Sequence, residues 1–357
     1  MRVILTGGGT GGHVLPNMAI WHEVKRKHPR AEVFYIGQSG DTIEARLCAH
    51  YGIPFCGIQA GKLRRYVDVK NIVDAFRVPV GMFQALRVLR RERPDFVFAK
   101  GGYVSVPVVI AAHMLGIPIY LHESDVTPGL ANKICARFAK KVFVSFEETR
   151  QYFAGEVQVV GNPVRKEIFH GNKEKGYAFT GLQKNRPVLL VLGGSTGAVA
   201  LNKIIEHNLS KLLEHTQIVH VMGPGKSFKQ RPRHTGYVAF EYLQDELPHV
   251  YAIADFVISR AGSGTIFETL VWNKPMLLVP LPAEGSRGDQ IENAQAFVAR
   301  GWAGMIEQEK TSAAEFAYII KDFLSDQKAL DAMKVAQKKT GVRFARESVE
   351  KIAIALA

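Results

Sequence analysis

The sequence predicts an α/β protein of two similar lobes, each a parallel sheet covered by helices. Three observations predict it. Short apolar, β-branched runs alternate with stretches of helical spacing, the pattern of successive βαβ units. The alternation restarts near the helix-breaking pair Asn162-Pro163, within VVGNPVRKEIF. Each half also opens in the same way, with an apolar run, a glycine-rich turn and a helical pattern. The first is TGGGTGGHVLPN (Thr6 to Asn17) and the second LLVLGGSTGAVALN (Leu189 to Asn202).

In chain order, Arg2–Leu5, Glu32–Ile36, Phe96–Ala99, Pro118–Leu121 and Val142–Val144 read as strands. Leu15–Lys27, Val73–Arg91, Val104–Leu115 and Gly129–Ala139 read as the helices between them. The second half places strands at Val188–Leu192, Ile218–Met222, Asp255–Ile258 and Met276–Val279. Its helices fall at Ala198–Leu213, Thr265–Val271 and Gln290–Ala299, and the tail from Ala313 to Ala357 is helical in pattern. The expected domains are 1–161 and 162–340.

A length of 357 residues suits two cores rather than one. With 47% apolar and 22% charged residues, the balance is that of a globular protein. No apolar run is long enough to span a bilayer. Glycines occupy the place where a signal peptide needs its apolar centre. Cys48, Cys56 and Cys135 form neither a metal spacing nor an even disulfide set, which reads as reduced and cytosolic. The net charge of +13 points to an anionic partner: nucleic acid, a phosphorylated substrate or an acidic membrane surface.

The glycine turns narrow that choice. Bare backbone lets a diphosphate approach N–H groups at a helix start. Gly7, Gly9 and Gly12 match G-x-G-x-x-G, but an NAD site needs an acid at the end of the second strand, and Tyr35-Ile36-Gly37-Gln38 has none. No Gly-Lys-Ser/Thr follows, so the turn is not a Walker loop. Close packing of helix on sheet is the plain alternative for each turn. Two turns, each at the carboxyl end of a central strand, suit a two-part substrate held across a cleft. A third stretch, SRAGSGTIFETL (Ser259–Leu270), would open a helix at Thr265 with amides and hydroxyls suited to phosphate. Glu268 is either a capping-box residue, three after Thr265, or a carboxylate for two ribose hydroxyls.

The blocks GGGTGGHVLPNMAI, AKGGYVSVPVVIAAHMLGIPIYLHESDVTPGLANK, GNPVR, LGGSTGAVALNK and ADFVISRAGSGTIFETL…GDQIENA run in order over the first 300 or so residues. The sequence resembles the MurG family, the UDP-GlcNAc:lipid I N-acetylglucosaminyltransferases of bacterial peptidoglycan synthesis, in its Gram-positive version. The resemblance implies a GT-B fold, two Rossmann-like domains facing each other across a cleft. It implies an inverting transfer of GlcNAc from UDP-GlcNAc to the C4 hydroxyl of MurNAc in lipid I (undecaprenyl-pyrophosphoryl-MurNAc-pentapeptide), giving lipid II, with no metal or other cofactor. The C-terminal lobe would hold the donor, and the N-terminal lobe the acceptor and the membrane. A helix at about 341–357 would cross back onto the N-terminal lobe. The implied place is the cytoplasmic face of the cell membrane, peripherally bound, with other cell-wall and division proteins as partners.

Residue by residue, the resemblance implies that Glu268 binds the ribose, and that Ser195 and Thr265 reach the phosphates with Arg165 nearby. The backbone of Leu243 would read the uracil edge, and Gln290 and Asn293 the GlcNAc hydroxyls. Thr10, Gly11, Gly12 and His13 would face the sugar diphosphate from the other lobe. Two departures stand out. Members with HEQN carry Gln and Asn where this chain has Ser124 and Asp125, and Asp289 replaces a Gln found in some members.

Inversion needs a base on the acceptor side. His13 is a candidate, with a phosphate ligand as its other reading; Glu123 and Asp125 are rivals. His122, after a buried strand, reads as structural. The run from Lys62 to Arg93 is basic, with Phe76, Val80, Met82 and Phe83 interspersed. A solvated helix face is the ordinary reading of such a run. An acceptor anchored in the bilayer favours a membrane-binding face, in which Phe76, Val80 and Phe83 insert and Arg87, Arg90 and Arg91 meet anionic headgroups. A UDP-GlcNAc 2-epimerase shares the two-lobed fold and is the rival enzyme. A nucleic-acid binder is suggested by charge alone and has no motif to support it.

Overall fold

The computed structural model describes residues 1–9, 11–61, 70–194, 197–226, 234–283 and 287–356, with side chains described throughout except at 70–76, 313 and 314. Thr10, Ser195 and the side chain of Phe76 therefore lie outside the described residues. The chain divides into two compact units, Met1–Pro163 with Glu347–Ala357, and Val164–Arg346.

The first unit alternates strand and helix: β1 (Arg2–Thr6), α1 (Gly11–Lys27), β2 (Glu32–Gln38), α2 (Ile43–Tyr51), β3 (Phe55–Ile58), α3 (Lys70–Glu92), β4 (Phe96–Ala99), α4 (Ser105–Met114), β5 (Ile119–Glu123), α5 (Leu130–Cys135), β6 (Lys141–Val144) and β7 (Val157–Val159). The sheet order is β3-β2-β1-β4-β5-β6-β7, all parallel. The order reverses between β1 and β4, the doubly wound arrangement whose ligand crevice opens at that switch point. Thr6 pairs with both Ile36 and Ala99, so the residues after β1 and β4 emerge at one level.

The sheet is apolar on both faces. Val3, Leu5, Val14, Met18 and Tyr35 pack on one side with Ile352 and Leu356; Ile4, Ile36, Leu89, Val97 and Val108 pack on the other. Fully buried strands read as continuous apolar runs, which is why sequence found β1 and β4.

The second unit repeats the plan: α6 (Lys173–Thr180), β8 (Val188–Leu192), α7 (Val199–Leu213), β9 (Gln217–Val221), β10 (Tyr237–Phe240), α8 (Leu247–Ile253), β11 (Phe256–Ser259), α9 (Ser263–Val271), β12 (Met276–Leu278), α10 (Asp289–Ala299), β13 (Gly304–Met305), α11 (Ala313–Ser325), α12 (Gln327–Ala336) and α13 (Val342–Arg346). Its sheet order is β10-β9-β8-β11-β12-β13, again parallel with the switch between the first and fourth strands. The last helix, α14 (Ser348–Leu356), belongs to the first unit, where it packs on α1. Ser348 Oγ donates to Asn162 O at 3.0 Å. The tail passes to the first unit at Glu347, after α13, rather than near Gly341.

Among the helices that start earlier than their periodicity implies, two bear on the site. α1 begins at Gly11 rather than Leu15, so His13 sits in its first turn rather than in a loop. α9 begins at Ser263 rather than Thr265, because Gly262 takes the extended cap conformation. Among the described residues, no helix is long and apolar enough to cross a membrane.

Candidate active site

In the first unit, the turns after β1 and β4 interlock. Gly102 has φ +80°, and a Cβ there would lie 2.4 Å from Gly8 O, so only glycine fits. Gly9 lies against Tyr103, Gly8 against the buried Glu44, and Gly7 against Lys100. Glu44 Oε1 accepts from Gln38 N–H at 3.2 Å, so α2 brings an acid to the end of β2 that the strand itself lacks. Asn17 of α1 donates to Thr6 O and to Tyr35 Oη, and Tyr35 donates to Gly7 O at 2.7 Å. His13 is half-buried in the first turn of α1, and its backbone carbonyl is 3.2 Å from where a Gly7 Cβ would lie.

The segment after β5 is built around Glu123. Its carboxylate accepts from Ser124 N–H at 2.7 Å, Asp125 N–H at 3.0 Å, Gly129 N–H at 3.3 Å and Asn132 Nδ2 at 2.8 Å. Burial pushes its carboxyl up, as does Asp125; the Asp125 N–H, Asn132 and Lys100 oppose them. At 3% exposure, Glu123 is buried, with its carboxylate engaged by the loop. Asp125 is half-buried. His122 is fully buried, with Nε2 2.9 Å from Gly161 O; burial and the Lys100 charge push it well below its usual value.

In the second unit, the sequence brings Arg165 and Glu268 together from 103 residues apart: Nη2 lies 3.4 Å from Oε1. Glu268 is well inside α9, whose cap is Gly262 with no side-chain cap bond, so the capping-box alternative fails on geometry. Burial pushes the Glu268 carboxyl up, and Arg165 opposes it. Gly262 also leaves the first N–H groups of α9 uncapped by a side chain, a geometry suited to an anion. Thr265 lies half-buried in that first turn.

The remaining expected residues are distributed as follows. Gln290, near the start of α10, accepts from Leu281 N–H at 3.1 Å, so its amide NH2 is what it can offer a ligand. Asn293 is fully buried and donates to Ala261 O at 3.2 Å; a sugar contact would require that tether to be shared. Asp289 accepts from Arg287 at 3.0 Å. Leu243 lies buried in the loop after β10. Val80 and Phe83 of α3 are exposed, at 45% and 62%, and Arg87, Arg90 and Arg91 are exposed beyond them. Met82 turns inward against the core.

Sequence reasoning missed Lys100, Glu44, Asn17 and Asn202. A lysine directly after an apolar strand, and an asparagine closing each glycine stretch, were the available signals.

Residues 3–144 match the glycosyltransferase family 28 N-terminal domain, and 188–349 match its C-terminal domain. The chain is 46% identical over 343 residues to a Lachnoclostridium phytofermentans protein, covering 96% of each. That protein is named UDP-N-acetylglucosamine--N-acetylmuramyl-(pentapeptide) pyrophosphoryl-undecaprenol N-acetylglucosamine transferase. A Bacillus cereus protein of the same name, numbered 2, is 47% identical over 309 residues, 86% of this chain and 87% of that one. The crystal structure of Acinetobacter baumannii MurG matches with a TM-score of 0.76 at 26% identity, covering 98% of this chain and 99% of that one. A Neisseria meningitidis UDP-GlcNAc 2-epimerase bound to UDP-GlcNAc matches with a TM-score of 0.70 over 100% of this chain and 99% of that one. Its 15% identity speaks for the fold alone.

Proposed function

The chain belongs to glycosyltransferase family 28, and from that premise we propose that it transfers GlcNAc from UDP-GlcNAc to the C4 hydroxyl of MurNAc in lipid I, making lipid II for the bacterial cell wall. The observation that carries this reading is nearly full-length similarity to transferases of that name, across both domains of a GT-B fold.

The donor belongs to the second unit. Glu268 accepts the ribose hydroxyls, and the Arg165 guanidinium beside it favours its charged form against the cost of burial. The start of α9, with Thr265 and Arg165, receives the diphosphate, whose departure the helix N-terminus favours. Ser195 joins it there. The Leu243 backbone meets the uracil, and the Gln290 NH2, with Asn293 behind it, meets the sugar.

The acceptor belongs to the first unit, which also presents Thr10, Gly11 and Gly12 to the sugar diphosphate. His13 takes the hydroxyl proton as the anomeric carbon inverts. Its place in the first turn of α1, after a loop of bare backbone, supports that role. Glu123 is too enclosed to compete.

The stripe Val80, Phe83, Arg87, Arg90, Arg91 supports peripheral binding to the cytoplasmic face of the cell membrane, with Phe76 continuing its spacing. Replacing the three arginines by serine should weaken sedimentation with anionic vesicles by about 1 kcal/mol per charge, and salt should weaken the parent. Equal binding by variant and parent would reduce the stripe to a solvated face.

Transfer of labelled GlcNAc to a soluble lipid I analogue tests the activity. Release of ManNAc from UDP-GlcNAc alone would instead favour the epimerase.

A further inference from the structure

Lys100 is fully buried at the carboxyl end of β4. β1 and β4 are the strands that flank the switch point, and a Cβ on Gly7 would lie 3.2 Å from Lys100 Cβ. Its ammonium donates to Ser124 Oγ, and Ser124 donates onward to Asn162 Oδ1 at 3.3 Å. Two carboxylates attract it, Glu123 and Asp125. Glu123 is already held by four other donors. Asp125 has its backbone fixed on both sides: its N–H donates to Glu123 and its carbonyl accepts from Thr149 Oγ1 at 3.1 Å. Lys100 therefore meets the two positions, Ser124 and Asp125, at which this chain departs from the HEQN pattern.

We propose that Lys100 is a positioning residue for the transfer reaction: its ammonium holds the Ser124–Asp125 segment beside the glycine turn, so that Asp125 accepts a hydrogen bond from a hydroxyl of the acceptor sugar. This rests on the glycosyltransferase reading above. The physical need is plain. Asp125 beside Glu123 raises the cost of ionising that carboxyl, and the Lys100 charge opposes it.

The charged or titratable groups facing Lys100 are His122, which burial keeps neutral, and Glu123 at the end of β5, and Asp125 after it. The turn after β1 contributes the uncharged Gly7. Burial pushes Lys100 down to about 8, opposed by both carboxylates. Below that pH the ammonium is present and grips Ser124; above it the charge is lost. The parent's kcat/KM for acceptor should therefore fall as pH rises through about 8.

The test is Lys100→Met in the full chain, assayed at saturating UDP-GlcNAc with a soluble lipid I analogue on both sides of that pH. The acceptor kcat/KM should drop about 10²-fold near neutrality, the scale of a misplaced reacting group. The alkaline limb should vanish, and UDP affinity should stay parental. A variant with parental kcat/KM, or one that keeps the limb, overturns the proposal. If Lys100→Met fails to fold and binds no UDP, Ser124→Ala decides. It removes the hydrogen bond and keeps the charge, so it should lose about tenfold, with the limb moved to lower pH. Parental kinetics in that variant overturn the proposal equally. A parent that transfers no GlcNAc sinks the glycosyltransferase reading, and this proposal with it.

Discussion

Lys100 and Arg260 occupy matching places, each the residue after the strand that flanks its unit's switch point, and each buried. Their surroundings differ. Arg260 donates to Val279 O at 2.9 Å, Pro280 O at 3.1 Å and Gln308 Oε1 at 2.9 Å, all neutral oxygens. Burial pushes it down to about 10, which leaves a guanidinium charged at any working pH. Lys100 instead faces carboxylates, and its own charge is lost within the alkaline working range. Arg260 ties neutral oxygens of the second unit together, whereas Lys100 of the first unit lies among carboxylates.

The braces of the two glycine turns differ in the same spirit. In the first unit, Asn17 and Tyr35 hold Gly7 O and Thr6 O. In the second, Asn202 donates to Met222 O at 3.1 Å and meets His220 Nε2 at 3.1 Å, and His220 Nδ1 lies 3.0 Å from Tyr237 Oη. Met222 O is the atom that forbids a side chain at Gly197, where φ is +72° and a Cβ would approach to 2.5 Å. Both braces hold a helix start against a strand end, but one contains an imidazole.

The largest effect separating the units should come from His13→Ala. As a base, its loss should lower kcat by about 10²–10⁴-fold while UDP affinity stays near parental, and the acidic limb of the pH–rate profile should flatten. A fall in UDP affinity with the limb intact would make His13 a phosphate ligand. Near-parental kcat would end its candidacy and leave Asp125 as the base to test.

Glu268→Ala should act on binding instead. Donor affinity should weaken by about 1.5–3 kcal/mol, the range for hydrogen bonds to a charged group. A 2′-deoxyribose donor should lose its disadvantage in that variant. A variant that still prefers the ribose donor as strongly as the parent would free Glu268 from that role.

The braces should differ least in size and most in the direction of pH. Asn17→Ala and Asn202→Ala each leave buried partners unmet and should cost about 1–3 kcal/mol in urea unfolding of the intact chain. Burial pushes His220 down from 6.5 to about 3, so between those values the unfolded chain binds the extra proton. Stability from this brace is therefore present above 6.5 and lost as pH falls toward 3. Tyr35 runs the other way: burial pushes it well above 10.0, so its contribution is lost only as pH rises past 10.0. His122 adds an acid loss from the first unit, so the contrast is read between parent and variant. In His220→Gln the acid-side loss should be shallower than in the parent; an unchanged slope would show that the ring does not govern it.

Central strands such as β1, β4, β8 and β11 were legible because burial on both faces demands unbroken apolar runs. The edge strands β3, β7 and β13 are short and half-buried, and they left no comparable trace. α2 escaped although Thr42 caps it, because its nine residues are too short a window for a 3.6-residue period to stand out. The start of α1 at Gly11 ran against propensity, since glycine is a poor helix former; packing of a buried Gly11 prevails there. Glu268 was legible as one of two readings, and only the position of the Gly262 cap separated them.

By itself, the sequence determined the kind of lobe, its duplication and the places where bare backbone meets a helix start. These follow from local spacing, because periodicities of two and 3.6 residues and runs of glycine are written along the chain. Tertiary structure alone decided which groups each buried cation meets: Lys100 with Ser124 and Glu123, Arg165 with Glu268, Arg260 with the carbonyls after β12. Coulomb forces and desolvation depend on distance and burial in space, and neighbours 24 or 103 residues apart carry no mark of each other in the order of the chain.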